Sequence, residues 1–291
     1  MGTGGDPFFF VSDLHGRETA FRKLFSAIKK DAPQAVFLGG DLLPSAARYF
    51  GKRSGSAGSF VEDFLGPELR SLKKALKNSF PRFFVIMGND DVRSEEPVFL
   101  RYDREGLWAY MHQRSMIYLA YRFFGYSCVP PTPFALKDWE RYDVSRFVDP
   151  GTLAPEDGRL TSEVSEKEIR EHTIQEDLEA LSAGSDLDKS IFLFHAPPYQ
   201  TSLDRAALDG RFVEHVPLDV HVGSIAVQRF IREHQPLVTL PGHVHESSRL
   251  TGSWQEKIGR TYAFSAAHDG PELALVCFDP AEPEKAIRRL L

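Results

Sequence analysis

The most informative part of the sequence is Phe8-Phe9-Phe10-Val11-Ser12-Asp13-Leu14-His15-Gly16, an apolar run that ends in Asp-x-His and a glycine. The run predicts a buried parallel strand that stops at Ser12. Side chains two positions apart in a strand point to the same side, so Asp13 and His15 are expected to converge at its carboxyl end. Open α/β sheets bind their ligands at that end. Because Asp-x-His is frequent by chance, its meaning depends on partners elsewhere in the chain.

The same pattern recurs twice downstream. Apolar segments 35–38 and 83–87 end in Gly39-Gly40-Asp41 and in Gly88-Asn89-Asp90-Asp91. Helical spacing of apolar residues separates these segments, and a Gly- and Ser-rich stretch at 45–59 predicts a surface loop. This β-α-β-α-β order predicts parallel strands joined by right-handed crossovers.

Two later apolar segments also end in polar residues. Segment 191–194 is followed by His195, and segment 237–240 is followed by Gly242-His243-Val244-His245. Further strands are predicted within 116–129, 261–265 and 273–278, and a helix that starts at Ser165 is predicted to run toward Gly184. Residues 137–159 predict an irregular insertion in which Trp139 and Tyr142 are aromatic core.

Composition narrows the class of protein. The 291 residues have a net charge of −6, so electrostatically driven nucleic-acid binding is not expected. The two cysteines, Cys128 and Cys277, stand far apart in apolar contexts, which favours a reducing compartment. No signal-peptide pattern and no apolar run near roughly 18 residues is present, so we expect a cytoplasmic protein without a membrane span.

Five predicted strand ends therefore carry polar side chains that could meet. Each has a plainer interpretation when taken alone: Asp13 could cap a helix, Asn89 could occupy a turn, and His195 could be a core histidine. Together they form a mixed oxygen and nitrogen set that suits Mn²⁺, Fe²⁺, Zn²⁺ or Ni²⁺, and the lack of thiolates argues against structural zinc. Seven ligands suit two ions that share a carboxylate, as in phosphatases. The candidate ligands are Asp13, His15, Asp41, Asn89, His195, His243 and His245.

These motifs, in this order, resemble the calcineurin-like metallophosphoesterase family. The resemblance implies an α/β fold, a four-layer α/β/β/α sandwich of two mixed sheets flanked by helices. We further expect a single domain over 1–291, with the irregular insertion at about 130–160. By the same resemblance, Asp13, His15 and His245 bind one metal, and Asn89, His195 and His243 bind the second. Asp41 bridges both, Mn²⁺ is the first expectation, and a metal-bridging hydroxide attacks a phosphoester in line.

One position departs from the family pattern. Many members have Gly-Asn-His at the third motif, and that His is assigned to protonating the leaving group or binding phosphate, whereas this chain has Asp90 there. A carboxylate could act as the acid only if its pKa were raised well above about 3.9. Family members without this His often favour phosphodiesters, so a phosphodiesterase is the first expectation. A phosphomonoesterase acting on nucleotides or phosphoproteins, and a non-catalytic binding scaffold, are the alternatives.

The resulting role assignments extend beyond the ligands. Candidates that bind substrate, a phosphoester small molecule or a nucleotide, are Arg17, Asn89 and Tyr199. The carboxylates of Asp91 and Glu246 are candidates for orienting the ligating histidines. The catalytic candidates are Asp41, Asn89, Asp90 and His243.

Overall fold

The structure is a computed structural model that describes residues 7–47 and 58–291, so most of the predicted 45–59 loop lies outside the described residues. Its first sheet has six strands. From edge to edge they are β14 (Ile287–Leu290), β13 (Ala274–Phe278), β1 (Phe8–Val11), β2 (Ala35–Gly39), β3 (Arg82–Ile86) and β4 (Ala109–Tyr110). Strands β1 to β3 are parallel, as predicted; β4, which was not predicted, continues them in the same direction, whereas β13 and β14 are antiparallel additions.

The second sheet also has six strands and is likewise mixed. Its order is β11 (Gln255–Ile258), β12 (Thr261–Phe264), β10 (Val238–Leu240), β7 (Ser190–Phe194), β6 (Tyr121–Tyr126) and β5 (Arg114–Tyr118). The four central strands are parallel, and both edge strands are antiparallel. A separate hairpin pairs β8 (Phe212–Val213) with β9 (Val216–Pro217).

Helices flank both sheets. They are α1 (Glu18–Asp31), α2 (Gly66–Leu76), α3 (Glu96–Arg104), α4 (Glu166–Glu171), α5 (Ile174–Ser182), α6 (Ile225–His234) and α7 (Ser247–Thr251). A π-helical turn precedes α2 at Val61–Leu65, and short 3₁₀ turns occur at Lys77–Ser79, Arg93–Glu95, Pro155–Asp157 and Pro283–Lys285. None of the helices in the described part of the chain combines the length and the apolar character that crossing a bilayer requires.

Successive side chains of each strand point to opposite faces of its sheet, and this divides the core into layers. The ring of Phe123 in the second sheet stacks on Phe84 of the first at 4.6 Å between centroids and lies 5.5 Å from Phe37. On the opposite face of the second sheet, the ring of Phe192 meets Phe230 of α6 at 5.0 Å. On the outer face of the first sheet, Phe9 belongs to the cluster that includes the buried residues of α1. The four-layer sandwich of two mixed sheets flanked by helices is therefore confirmed.

Two predictions about the middle of the chain have different outcomes. Trp139 and Tyr142 are buried, as predicted for aromatic core. The single helix predicted from Ser165 is wrong, because the chain extends at His172 (φ −103°, ψ 138°). Thr173 then starts α5 with its own capping box, formed with Glu176. A second cap within the predicted helix divides it into two.

Candidate metal centre

The loops that follow β1 and β2 run side by side beyond the strands. Backbone hydrogen bonds join Asp13 N to Gly40 O (3.0 Å) and His15 N to Asp41 O (2.8 Å). The three paired residues other than Gly40 have left-handed backbone conformations, with φ of 58° at Asp13, 44° at His15 and 51° at Asp41. Asp13 and His15 do converge, but strand alternation is the wrong reason, since both lie past the end of β1 in this left-handed loop.

The first donor group combines two buried carboxylates with two partly exposed imidazoles. Asp13, His15, Asp41 and His245 each offer one ligand atom, and these atoms lie within 4.8 Å of one another. The Nε2 atoms of His15 and His245 face each other at 3.2 Å, and Asp13 Oδ1 lies 3.5 Å from His245 Nε2. Two ring nitrogens this close need a proton or a cation between them, because their lone pairs otherwise repel.

A second group of donor atoms shares Asp41 with the first. Asp41, His195 and His243 offer ligand atoms within 4.8 Å of one another. His195 Nε2 also lies 3.0 Å from Asn89 Oδ1 and 3.4 Å from Asp41 Oδ2, so the asparagine belongs to the same cluster. The structure thus brings the seven predicted ligands into two adjacent groups that meet at one carboxylate.

Hydrogen bonds fix which nitrogen of two histidines is available. His195 Nδ1 donates to the carbonyl oxygen of Gly39 at 2.8 Å, which leaves Nε2 turned toward Asn89 and Asp41. His15 Nδ1 lies 3.2 Å from Asp90 Oδ2, and an ionised carboxylate can only accept there. His15 Nε2 is thereby directed at His245.

Two glycines let these loops approach each other. A Cβ at Gly88 would lie 2.4 Å from Asp41 Oδ1 and 2.6 Å from His195 Cε1. A Cβ at Gly40, which has φ +91°, would lie 2.6 Å from His195 Nδ1. Both positions are therefore closed to any side chain while the donor atoms stay where they are.

The pKa values show strong mutual attraction within the centre. Burial would lower the pKa of His15, but its hydrogen bond to Asp90 and the charges of Asp41 and Asp13 raise that pKa to about 9. Burial would likewise lower the pKa of His195, and the charge of Asp41 raises it to about 9. The pKa of His243 falls to about 4, because it is buried beside His195. The carboxylates thus draw positive charge into the centre.

The donor set fits two divalent ions. Buried Asp13 and Asp41 require compensating positive charge: burial would raise the pKa of each carboxyl, but pairing with the histidines keeps both below their usual range. A ligating imidazole must be neutral: His243 already is near pH 7, whereas His15 and His195, with pKa values of about 9, would release a proton when an ion binds. Mixed oxygen and nitrogen donors around a shared carboxylate are what borderline divalent metals accept.

Neither carboxylate predicted to orient a histidine does so. Asp91 is fully buried, and its oxygens accept backbone N–H groups of Leu42 (3.2 Å), Leu43 (2.7 Å) and Gly88 (2.9 Å). Glu246 accepts from Ala207 N at 3.0 Å. Asp91 instead joins the loops after β2 and β3, and burial followed by the charge of Asp41 raises its pKa to about 7.

Sequence reasoning missed the partners that orient the histidines. The partner of His195 is the backbone carbonyl of Gly39, and every residue has such a carbonyl, so no side-chain pattern marks it. The partner of His15 is Asp90, whose departure from the family motif is visible in the sequence but whose contact with His15 is not. A carboxylate in place of the usual His was the available signal.

The two substrate-binding candidates outside the clusters lie on neighbouring loops. Arg17 donates from Nε to Leu14 O at 3.3 Å and from Nη1 to Gly270 O at 3.2 Å. Tyr199, four residues after His195, donates its hydroxyl to Asp219 at 2.5 Å. Both side chains are therefore held by the protein itself.

Comparison with solved structures supports the fold. The protein TT1561 of Thermus thermophilus is 15% identical with a TM-score of 0.55, and the alignment covers 98% of this chain and 99% of that one. A dimetal phosphatase from Danio rerio is 13% identical with a TM-score of 0.50, over 93% of this chain and 91% of that one. At such identities the likeness concerns the fold alone. No curated protein sequence matches this chain.

Family membership rests on a match along the chain itself. The model of the calcineurin-like phosphoesterase family matches residues 7–247, from the start of β1 to the residues just past His245. That span includes β1 to β4 of the first sheet, β6, β7 and β10 of the second, and every residue of the two donor groups. The order of motifs, the two mixed sheets and this match agree, and the chain belongs to the calcineurin-like phosphoesterase family.

Proposed function

We propose that this protein hydrolyses phosphoester bonds with two divalent metal ions, Mn²⁺ before Fe²⁺, Zn²⁺ or Ni²⁺, and that it favours phosphodiesters. The observation that carries the proposal is the shared carboxylate of Asp41, which belongs to two groups of donor atoms at once. Paired ions about 3.5–4 Å apart are the arrangement used by phosphatases and nucleases.

The proposed ligands follow the two groups. Asp13, His15 and His245 would hold one ion, and Asn89, His195 and His243 the other, with Asp41 common to both. When bound, such ions lower the pKa of a coordinated water and neutralise charge on phosphoryl oxygens.

The protein's own contribution is orientation and charge. Asn89 and His243 would lie beside the reacting phosphate, where an amide N–H and an imidazole can stabilise developing negative charge. Arg17 is proposed to bind a substrate phosphate oxygen, because its two described hydrogen bonds go to carbonyl oxygens and leave its cationic charge without a carboxylate in the described part of the chain. Tyr199 is proposed to contact the rest of the substrate from the loop after His195.

The preference for diesters rests on the position of Asp90. Both of its oxygens accept hydrogen bonds, from Ala46 N at 3.0 Å and from His15 Nδ1 at 3.2 Å. A carboxylate used in this way is a poor proton donor to a leaving group. Diesters with acidic leaving groups need such a donor least.

We further propose a small phosphoester or nucleotide as substrate and a cytoplasmic location. The net charge of −6 disfavours a nucleic-acid substrate. Both cysteines, Cys128 and Cys277, are free and buried, which agrees with a reducing compartment.

The test is a turnover assay with Mn²⁺ on bis-p-nitrophenyl phosphate and p-nitrophenyl phosphate. We expect metal-dependent hydrolysis, faster on the diester, and a loss in Asp41→Asn of at least about 100-fold, since even an outer partner of a metal ligand is worth about 10- to 100-fold. Asp188→Asn is the matched control, because that exposed carboxylate pairs only with Arg260 among the described residues.

Two outcomes would contradict the proposal. Absence of turnover on both substrates with Mn²⁺, Fe²⁺, Zn²⁺ and Ni²⁺ would leave the binding scaffold as the better account. Hydrolysis of the monoester alone would make the protein a phosphomonoesterase.

A further inference from the structure

Asp90 contacts both donor groups at once. Its backbone N–H donates to Asp41 Oδ1 at 2.7 Å, and its carboxylate Oδ2 lies 3.2 Å from His15 Nδ1. The other oxygen, Oδ1, accepts Ala46 N–H at 3.0 Å and lies 3.4 Å from Ser45 Oγ. Asp90 is therefore attached to the shared carboxylate by its backbone and to a histidine by its side chain.

This attachment determines the orientation of the His15 ring. With Nδ1 engaged by Asp90, Nε2 points into the first donor group, 3.2 Å from His245 Nε2 and 3.9 Å from Asp41 Oδ2. A carboxylate on the far nitrogen of a ligating imidazole fixes its tautomer and makes it a stronger ligand. An imidazole at position 90 would carry no fixed negative charge toward His15.

We propose that Asp90 is a positioning residue: it holds His15 so that the Nε2 atom faces the metal. Asp90 does not act as the proton donor to the leaving group. The inference rests on the metal centre of the proposed function. Asp90, the residue that departs from the family pattern, thus supports metal binding and takes part in no step of the reaction.

The two donor groups differ in how much they need such support. The side chains of His15 and His245 are 24% and 33% exposed, whereas that of His195 is fully buried. Packing and the Gly39 carbonyl hold His195 in place, whereas the partly exposed imidazoles of His15 and His245 have more room to turn. Loss of Asp90's carboxylate should therefore weaken the binding of the ion in the first donor group, which contains His15, and leave the binding of the ion in the second group, which contains His195, unchanged.

The first experiment measures Mn²⁺ binding by calorimetry on the metal-free protein. We expect two ions per wild-type chain, and in Asp90→Ala a roughly 10- to 100-fold weaker affinity for one of them, the range for partners of metal-bound histidines. Asp90→Asn should recover part of the loss, because its amide oxygen can still accept from His15 Nδ1. His245→Ala, which removes a donor of the first group, should lower the affinity for the same ion.

Ser45→Ala is the matched control, since it removes another contact of Asp90 and leaves the contact with His15 intact. Its affinity for both ions should equal that of the wild type. A merely structural role for Asp90 would lower the melting temperature of Asp90→Ala without changing either Mn²⁺ affinity, and that result would overturn the proposal.

The second experiment reads the His15 ring directly. In Zn²⁺-loaded protein labelled with ¹⁵N-histidine, the wild type and Ser45→Ala should show a protonated, slowly exchanging His15 Nδ1. Asp90→Ala should lose that signal, and its retention would overturn the proposal. Neither readout uses turnover, so a protein that binds two ions but hydrolyses nothing would refute the proposed activity and leave the role of Asp90 to be decided separately.

Discussion

Asp41 is the residue on which both donor groups depend. Its Oδ1 accepts Asp90 N–H at 2.7 Å, and its Oδ2 lies 3.4 Å from His195 Nε2 and 3.9 Å from His15 Nε2. Burial would raise the pKa of this carboxyl, but the charges of His195 and His15 keep it well below its usual range. Asp41 therefore stays ionised throughout the neutral range, as a carboxylate shared by two cations must.

The approach of the loops around Asp41 yields a residue-scale prediction. Gly88→Ala would place a methyl group 2.4 Å from Asp41 Oδ1, so the carboxylate or the His195 ring must move. We expect Mn²⁺ binding and turnover to fall together, by at least about 10-fold. Calorimetry and the diester assay, run beside a thermal melt, measure both.

Gly184→Ala provides the comparison for that substitution. A Cβ there meets nothing within 4 Å, although φ is +68°, so only local backbone strain results. Its melting temperature should fall slightly, and its Mn²⁺ affinity should not change. Equal Mn²⁺ affinities in Gly88→Ala and the wild type would show that the loops tolerate a side chain at position 88.

At the scale of elements, the junction of β4 with β6 contains a buried histidine. His112 lies just past β4, and its Nδ1 accepts Ser127 N–H at 3.1 Å. Its ring meets Trp139 of the insertion edge-on at 4.9 Å. Burial, followed by the charges of Arg93 and Arg141, lowers the pKa of His112 to about 3.

This depressed pKa predicts acid sensitivity. Below about pH 6.5 the unfolded chain binds a proton at His112, whereas the folded protein binds it only near pH 3. The free energy of unfolding therefore decreases as the pH falls from about 6.5 toward 3. The contribution is at most about 1.4 kcal/mol per pH unit. Urea titrations between pH 7.5 and 4 measure it.

His112→Gln isolates the effect, because its amide oxygen can accept from Ser127 N–H and it does not titrate. The wild type should be more stable at pH 7.5, and its advantage should shrink as the pH falls toward 4. A difference that stays constant with pH would exclude His112 as the titrating group.

The strand ends were predictable because each is marked, within a few consecutive residues, by an apolar run followed by polar residues. The order Asp13, Asp41, Asn89, His195, His243 sufficed for family and fold. The left-handed backbone at Asp13, His15 and Asp41 was not predictable, because it results from pairing between two loops distant in sequence. The partners of His15 and His195 were hidden for the same reason, one of them being a carbonyl group.

At the scale of the whole molecule, aromatic packing joins the two sheets. Phe123 of the second sheet lies 4.6 Å from Phe84, 5.5 Å from Phe37 and 6.1 Å from Phe8 of the first, between ring centroids. Three strands of one sheet thus rest on one residue of the other. The single domain expected over 1–291 remains a proposal, and this shared core supports it.

Truncation of that residue tests the proposal. Phe123→Ala should lower the free energy of unfolding by about 3–5 kcal/mol, as for other buried aromatic side chains. Phe147→Ala, whose side chain is 71% exposed, should change it by no more than about 0.5 kcal/mol. Both variants should unfold in one transition by circular dichroism and by tryptophan fluorescence, and two separated transitions would argue for independent units.

The distance along the chain between partners in the first donor group has a further consequence for the protein's history in the cell. His15 and His245 meet although 230 positions separate them. While the ribosome is still making the second sheet, the acidic loops after β1 and β2 are already exposed and lack most of their nitrogen partners. A nascent chain therefore offers metal only the incomplete set of Asp13, His15 and Asp41, and capture of the ions waits until β10 and the loop after it have been translated and docked. Metal content should thus distinguish finished molecules from partly folded ones.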